Sequence, residues 1–269
     1  MIGVFDSGVG GLTVLSALHK AMPNHDLLYL GDTARVPYGT RSPITVVRYS
    51  LRVASYLYEE GIRTLVIACN TATTHALPAL QAAGDSVGVR VFGVIEPGVD
   101  AALAAHIKGS IAILGTEGTI LGGAYQEKLR TRAPTVPIEA VPCPLFVPLV
   151  EEGWTGGVVP TQIAEHYVGH LRGRIDTAIL GCTHYPAIEG VLREVLPGVK
   201  LVDSAVSTAT AVRDALGPGD EPGTLRFRVT DHVERFQRVG ERFLGFPPDP
   251  VEWIDLPEAR EPFALKNGQ

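Results

Sequence analysis

Two stretches of the chain place a cysteine and hydrogen-bonding side chains directly after a wholly apolar run. Residues 65–73 read LVIACNTAT, with Cys69 after the apolar run, and residues 178–186 read AILGCTHYP, with Cys182 in the same place. Apolar runs of this kind are typical of strands that are covered on both faces, as in parallel sheets. The fold must therefore contain two buried strands that each end at a thiol.

The rest of the chain alternates short strand patterns with single helical patterns. Strands are predicted over residues 2–5, 26–32, 63–69 and 89–95, and again over 110–116, 137–143, 176–182 and 199–205. Strands separated by single helices predict parallel pairing with right-handed crossovers. Asp6 precedes Cys69 by 63 residues, and Thr116 precedes Cys182 by 66 residues. The similar spacing indicates an internal duplication.

We therefore predict an α/β protein of two similar parallel-sheet domains, related by pseudo-twofold symmetry, with the active site in the cleft between them. The first domain is predicted to comprise residues 1–97 and 207–269, and the second residues 98–206. The tail is predicted to contain a helical run to Leu216, a strand over 225–229, a helix from Asp231 to Leu244 and a Pro-rich end.

Composition and charge narrow the class of protein. Hydrophobic residues make up 45% of the 269 residues, which is enough for real cores, and the net charge is −6 with Lys and Arg scattered. We therefore expect no nucleic-acid partner.

No run approaches the roughly 20 apolar residues of a membrane span. No basic leader precedes the strand at Ile2, and the three cysteines form no CxxC motif, so we expect a cytoplasmic protein with reduced thiols.

Ligands of open α/β sheets bind at the carboxyl ends of the strands. If the two halves face each other, Cys69 and Cys182 lie on opposite walls of one cleft. One thiolate could then remove a proton from a substrate carbon while the other thiol donates a proton to the opposite side, which yields the mirror image. Asn70, Thr71, Thr73 and Thr183 are candidate hydrogen-bond donors for the transition state.

Other interpretations of these residues remain open at this point. A cysteine after an apolar strand is commonly a small packed side chain, which is our interpretation of Cys143 between two prolines. Cys69, Cys182 and His184 could bind zinc, but they lack the close spacing of known sites, and a redox pair would lack its CxxC motif. We expect no metal.

The segment FDSGVGGLT at residues 5–13 resembles a phosphate-binding loop only superficially. It has no lysine, and it does not fit the GxGxxG dinucleotide fingerprint. Its Asp6 would be unfavourable beside an anion. Asp6 is interpreted as a helix cap, as a group that tunes a neighbouring base, or as a partner of a substrate ammonium.

Several long motifs together resemble the glutamate racemases of the aspartate/glutamate racemase superfamily. In chain order they are GVFDSGVGGLTV (3–14), YLGDTARVPYG (29–39), VIACNTAT (66–73), GVIEPG (93–98), GCTHYP (181–186) and VDSA (202–205). The resemblance implies an isomerase that interconverts L- and D-glutamate without pyridoxal phosphate or metal. It also implies that the product supplies peptidoglycan synthesis, and hence cell-wall biogenesis and cell shape.

The resemblance also implies roles for individual residues. Cys69 and Cys182 would be the two bases, for the D- and L-enantiomer respectively, assisted by Asp6 at the first thiol and by Glu151 and His184 at the second. Substrate contacts would come from a larger set, namely Asp6, Ser7, Tyr38, Gly39, Asn70, Thr71, Thr73, Thr116, Thr183 and His184. The first motif begins at Gly3, so we expect no activation through an N-terminal extension. Homodimers are common among such enzymes, and their geometry varies.

Three functions are compatible with these residues. The first is glutamate racemisation. The second is the same chemistry on aspartate or another compound, which the two cysteines alone cannot distinguish from the first. The third is a bilobed protein that binds an anionic amino acid without reacting, against which the paired thiols count. The long DSGVGG and PYG matches favour glutamate.

Overall fold

Two separate parallel sheets organise the molecule. The computed structural model describes residues 1–264. The strands are β1 (Ile2–Asp6), β2 (Leu27–Gly31), β3 (Thr64–Ile67), β4 (Arg90–Gly93), β5 (Ser110–Gly115), β6 (Ile138–Pro142), β7 (Ile175–Gly181), β8 (Lys200–Asp203), β9 (Leu225–Val229) and β10 (Val251–Trp253). The helices are α1 (Leu12–Ala21), α2 (Pro43–Glu59), α3 (Asn70–Asp85), α4 (Ile95–Ala105), α5 (Glu117–Gly122), α6 (Ala124–Arg132), α7 (Phe146–Glu151), α8 (Val158–Val168), α9 (Glu189–Val195), α10 (Ser204–Leu216) and α11 (Val233–Leu244).

The strand order of one sheet repeats in the other. The first sheet runs β10-β9-β2-β1-β3-β4 and the second runs β6-β5-β7-β8. All of the pairings are parallel. Within the first sheet, β2-β1-β3-β4 follows the same order as the four strands of the second. The predicted α/β class with two similar parallel-sheet domains is confirmed.

Both faces of each central strand are buried. In β1, Val4 packs into one apolar cluster and the next residue, Phe5, packs into another on the opposite face of the sheet. In β5, Leu114 and Ile113 are divided between two clusters in the same way. Successive side chains of a strand point to opposite faces, so a strand covered on both sides needs apolar residues throughout. This is the physical reason for the unbroken apolar runs.

The tail extends the first sheet. Strand β9 pairs with β2, and β10 pairs with β9 at the sheet edge. The sequence pattern missed β10 because it is three residues long, lies among prolines and leaves Trp253 60% exposed. The boundaries near residues 97 and 206 stay a prediction, and residues 265–269 of the predicted first domain lie outside the described residues. Within residues 1–264, no helix has the length and apolarity that crossing a membrane requires.

Asp176 ties the loop after α4 to the start of β7. The backbone N–H groups of Ile107 and Lys108 both donate to its Oδ2 at 2.7 Å, and Oδ1 lies 2.7 Å from His106 Nδ1. Burial opposes the charged form of Asp176, but these hydrogen bonds outweigh the effect of burial and lower the pKa of Asp176 to about 2. A carboxylate with a lowered pKa stabilises the fold above its ordinary pKa, and that stability is lost as the pH falls towards the lowered value.

We therefore expect Asp176→Asn to lower the free energy of unfolding at pH 7 by on the order of 1–2 kcal/mol. The difference from the wild type should shrink as the pH falls from about 4 towards 2, because the wild-type carboxylate then protonates. Urea unfolding at several pH values measures this. Asp85→Asn, at the exposed end of α3, is the control. A difference that stays constant over this pH range would contradict the prediction.

Candidate active site

The carboxyl ends of the central strands of both sheets surround one small cavity. Its volume is about 120 Å³, which is room for about four waters or one small ligand. The two domains contribute opposite walls. The lining residues are Ser7, Val36, Pro37, Tyr38, Gly39, Thr40, Cys69, Asn70, Thr71, Thr116, Glu117, Pro144, Val147, Pro148, Gly181, Cys182, Thr183 and His184.

Cys69 stands on the first wall, just beyond the end of β3. It is the N-cap of α3, and its Sγ accepts a hydrogen bond of 3.4 Å from the backbone N–H of Ala72. The thiol also lies 3.7 Å from the hydroxyl of Ser7. Burial, and then the nearby carboxyl of Asp6, raise the pKa of Cys69 to about 12, although the Ala72 and Ser7 contacts oppose the shift. Cys69 therefore holds its proton at neutral pH.

Cys182 stands on the second wall, immediately after β7, with a different set of neighbours. Its Sγ lies 3.9 Å from His184 Nδ1, and His184 Nε2 lies 3.2 Å from Glu151 Oε1. Burial disfavours the imidazolium, but the contacts with Cys182 and Glu151 outweigh it and raise the pKa of His184 to about 10. Burial likewise opposes the charged form of Glu151, yet His184 and Arg235 hold its pKa below the usual value. Cys182 thus lies beside the His184 imidazolium, which the Glu151 carboxylate stabilises.

Asp6 lies beneath the first wall and does not line the cavity. It is 1% exposed, and its Oδ2 accepts a hydrogen bond of 2.9 Å from the backbone N–H of Gly8. Its other oxygen, Oδ1, has no hydrogen-bond partner in the part of the chain that the structure describes. Burial raises the pKa of Asp6, although the charge of His184 opposes the shift. Asp6 is therefore a buried carboxyl group with a raised pKa, close enough to Cys69 to affect the pKa of that thiol.

Hydroxyl groups join the two walls. Thr71 Oγ1, at the start of α3, lies 2.8 Å from Thr116 Oγ1 and 3.1 Å from Thr119 Oγ1 of the second domain. The Tyr125 hydroxyl donates across the same boundary to Asn70 Oδ1 at 2.7 Å. This contact fixes the Asn70 amide so that its N–H groups remain for a ligand.

The structure brings most of the sequence-predicted site residues to the cavity, with three exceptions. Ten of them line it, namely Ser7, Tyr38, Gly39, Cys69, Asn70, Thr71, Thr116, Cys182, Thr183 and His184. Asp6 lies behind Cys69, and Glu151 lies behind His184. Thr73 is not brought to the cavity, because its hydroxyl donates to the carbonyl of Ile67 at 3.1 Å. The Tyr38 hydroxyl also points away, since it donates to Asp32 Oδ2 at 2.7 Å.

Sequence reasoning missed the apolar part of the lining. Val36 and Pro37 come from the loop after β2, and Pro144, Val147 and Pro148 come from the segment after β6. The search for polar groups at strand ends could not find them. Their only signal is that they follow predicted strands of the same sheets. Cys143, in the same segment, is fully buried in the second-domain core, which confirms its interpretation as a packed side chain.

The cavity offers no set of ligands for a metal ion. Within residues 1–264, no three His, Cys, Asp or Glu side chains are arranged so that they could hold one. What the walls do offer is two thiols with different neighbours, hydrogen-bond donors from both domains and an apolar side. Such an arrangement suits proton transfer at a small polar substrate.

Comparison with known proteins places the chain among racemases. The family model described as Asp/Glu/hydantoin racemase matches residues 10–212. A glutamate racemase of Geobacter metallireducens is 47% identical, over 97% of this chain and 98% of that protein. The crystal structure of the Francisella tularensis glutamate racemase in complex with D-glutamate has a TM-score of 0.88 and 32% identity, over 95% and 97% of the two chains. That of the Thermus thermophilus enzyme in complex with β-chloro-D-alanine has a TM-score of 0.84 and 41% identity, over 95% and 96%.

Proposed function

The chain belongs to the Asp/Glu/hydantoin racemase family and, within it, to the glutamate racemases, and from this premise we propose that it interconverts L- and D-glutamate by proton transfer between Cys69 and Cys182. Enzymes of this class are isomerases. The observation that carries the proposal is the placement of two thiols, from two domains, on opposite walls of one cavity. An α-carbon between them can lose a proton to one side and gain one from the other.

The neighbours of the thiols suggest which one starts the reaction. Cys69 holds its proton, because burial and Asp6 raise its pKa to about 12. The starting base in our proposal is Cys182, whose Sγ lies 3.9 Å from Nδ1 of His184. Burial opposes the imidazolium, but contacts with Cys182 and Glu151 raise the pKa of His184 to about 10. In the proposed direction from L to D, the Cys182 thiolate takes the α-proton and leaves the electron pair on the substrate. The Cys69 thiol then donates its proton to the opposite face and becomes the thiolate.

The reverse direction exchanges the two roles, so that Cys69 acts on the D-enantiomer. Each thiol has a titratable neighbour, Asp6 or His184, which we propose returns it to its starting protonation state. The carbanion-like transition state needs donors near the substrate carboxylate. We propose that the Asn70 amide, the hydroxyls of Ser7 and Thr183 and the backbone N–H groups at the start of α3 supply them.

The cellular role is part of the same proposal. D-Glutamate made by this chain would supply peptidoglycan synthesis, as the resemblance implies. We propose that it does so in the cytoplasm, because Cys69, Cys143 and Cys182 are all unpaired, as is usual in a reducing compartment. We further propose that the reaction needs no cofactor, since the two thiols account for both proton transfers.

The direct test is circular dichroism of the protein with each enantiomer of glutamate in deuterated buffer, after exhaustive treatment with a chelator and a carbonyl reagent. We expect the optical signal of both enantiomers to decay, and mass analysis to find deuterium at the α-carbon. Aspartate serves as the comparison substrate. A stable signal with glutamate but decay with aspartate would overturn the assignment of substrate. Stable signals with both would favour the binding-protein alternative, and activity restored only by an added cofactor would contradict the cofactor-free reaction.

A further inference from the structure

Helix α11 belongs to the first domain, and its side chains contact Glu151 and His184 beside Cys182 in the second domain. Arg235 Nη2 donates to Glu151 Oε2 at 3.2 Å. Two turns further along, Arg242 Nη1 donates to the Glu151 carbonyl at 3.1 Å and to the Val150 carbonyl at 3.3 Å. The ring of Phe243 meets the ring of His184 edge-on, with centroids 5.6 Å apart. One helix thus contacts the side chain of Glu151, its backbone and its partner His184.

These contacts divide the two oxygens of Glu151 between two cations. Oε1 faces His184 and Oε2 faces Arg235. Arg242 donates to two carbonyls in the last turn of α7, where a cation also interacts favourably with the helix dipole. Because α7 has six residues, it offers little rigidity of its own. The position of Glu151 therefore depends on α11.

Helix α11 is itself firmly held. Phe236, Val239 and Leu244 are buried in the first-domain core. The Phe236 ring also packs against Tyr29, with centroids 5.8 Å apart. A buried apolar face fixes a helix, so the arginines start from an anchored backbone. A carboxylate with only one partner would be free to turn towards solvent, whereas a carboxylate held at both oxygens is not.

We propose that Arg235 is a positioning residue, which holds Glu151 against His184 and thereby keeps Cys182 in its reactive form. Arg235 does not touch the cavity, and it acts through two other side chains. The inference rests on the proposed role of Cys182 as one of two bases. The expected effect is modest, because the Arg235 side chain is 47% exposed and exposed ion pairs are weak.

The test is the rate at which iodoacetamide alkylates each cysteine, followed by mass spectrometry of peptides at neutral pH without substrate. The thiolate is the reacting form, so the rate reports its population. We expect Arg235→Ala to slow alkylation of Cys182 by about twofold to fivefold and to leave the rate at Cys69 unchanged. Arg235→Lys should restore part of the rate, because it keeps the charge.

Arg238→Ala is the matched control. Arg238 lies on the same helix, and with Arg235 and Glu151 it lines a surface cleft separate from the active-site cavity. It makes no ion pair or side-chain hydrogen bond with any residue of the described range 1–264. In Arg238→Ala, both cysteines should be alkylated at the wild-type rates. Equal rates at Cys182 in Arg235→Ala and Arg238→Ala would overturn the inference, and so would equal slowing at both cysteines, which would indicate general loosening.

A double variant separates positioning from other effects. In a Glu151→Gln background, Arg235→Ala should cause no further slowing at Cys182, because the carboxylate it holds is gone. Additive slowing would contradict the inference. In turnover, Arg235→Ala should lower kcat by about twofold to fivefold with little change in KM. The alkylation assay needs no turnover, so its outcome is distinguishable from a failure of the racemase assay on the wild type.

Discussion

Cys182→Ala and Cys69→Ala are each expected to abolish racemisation in both directions. The proposed reaction needs a base on one face of the α-carbon and an acid on the other, and alanine can be neither. Each positioned acid or base typically contributes about 10²–10⁴-fold, so the residual rate should be lower by at least that factor. Circular dichroism with each enantiomer measures the loss. Substantial turnover by either variant would contradict the two-base reaction.

Cys143→Ala is the matched control for these variants. Its thiol is buried in the second-domain core, and the residue contributes its carbonyl to a hydrogen bond from Tyr185 that alanine preserves. We expect wild-type turnover with somewhat lower thermal stability, because a buried sulfur is lost. All three variants should keep the far-ultraviolet spectrum of the folded protein. Loss of activity in Cys143→Ala as well would show that any thiol deletion disturbs the cavity.

The surviving thiol in each variant gives a second readout. If Cys69 serves the D-enantiomer, Cys182→Ala should still exchange the α-proton of D-glutamate with deuterium, slowly and without inversion, and should leave L-glutamate unlabelled. Cys69→Ala should show the opposite preference. Equal labelling of both enantiomers in either variant would contradict the assignment of one thiol to each face.

Gly10→Ala is expected to have the second large effect. A methyl group there would overlap the Thr183 hydroxyl and lie 2.5 Å from His184 Nδ1, on the other side of the domain boundary. The glycine-rich loop can touch the second wall only because Gly10 has no side chain. The added carbon must displace Thr183 and His184 or the loop itself, and so disturb the wall that carries Cys182. A displacement of about 1 Å at an active site can cost about 10²-fold in rate.

Gly8→Ala, two residues earlier in the same loop, is the comparison. A methyl group at Gly8 would make an ordinary contact of 3.4 Å with the side chain of Val36, and alanine keeps the N–H that donates to Asp6. We expect activity close to that of the wild type. Steady-state kinetics and thermal unfolding of both variants test the pair. Full activity in Gly10→Ala would show that the loop moves aside without cost.

The outline of the site could be predicted from residues alone. Polar side chains after buried strands must gather at one edge of a parallel sheet, which placed Cys69 and Cys182 beside a cleft. The orientation of individual side chains could not be predicted in this way. Thr73 follows Cys69 by one helical turn, yet its hydroxyl donates to the Ile67 carbonyl. The hydroxyl of Tyr38 is likewise taken by Asp32, from a different loop.

In the C-terminal tail too, the sequence predicted the local elements, whereas only the structure shows their contacts. Its helix α11 and strand β9 have strong local patterns, and the sequence predicted both. The local patterns of the tail do not show which residues it contacts. The structure adds β9 to the first sheet and directs Arg235 and Arg242 towards α7. A solvent-facing arginine carries no sign of its partner in its own segment, because the partner lies more than eighty residues away.

The sequence by itself determined the two parallel-sheet halves and the thiol at the end of a strand in each. Those features depend on local period and apolarity, which a segment expresses wherever it packs. The tertiary structure decided that the thiols have unlike neighbours, Asp6 behind Cys69 and the His184–Glu151 pair beside Cys182. Charge and desolvation act through space, so the pKa of Cys69 and that of His184 depend on contacts between segments that are distant in the chain.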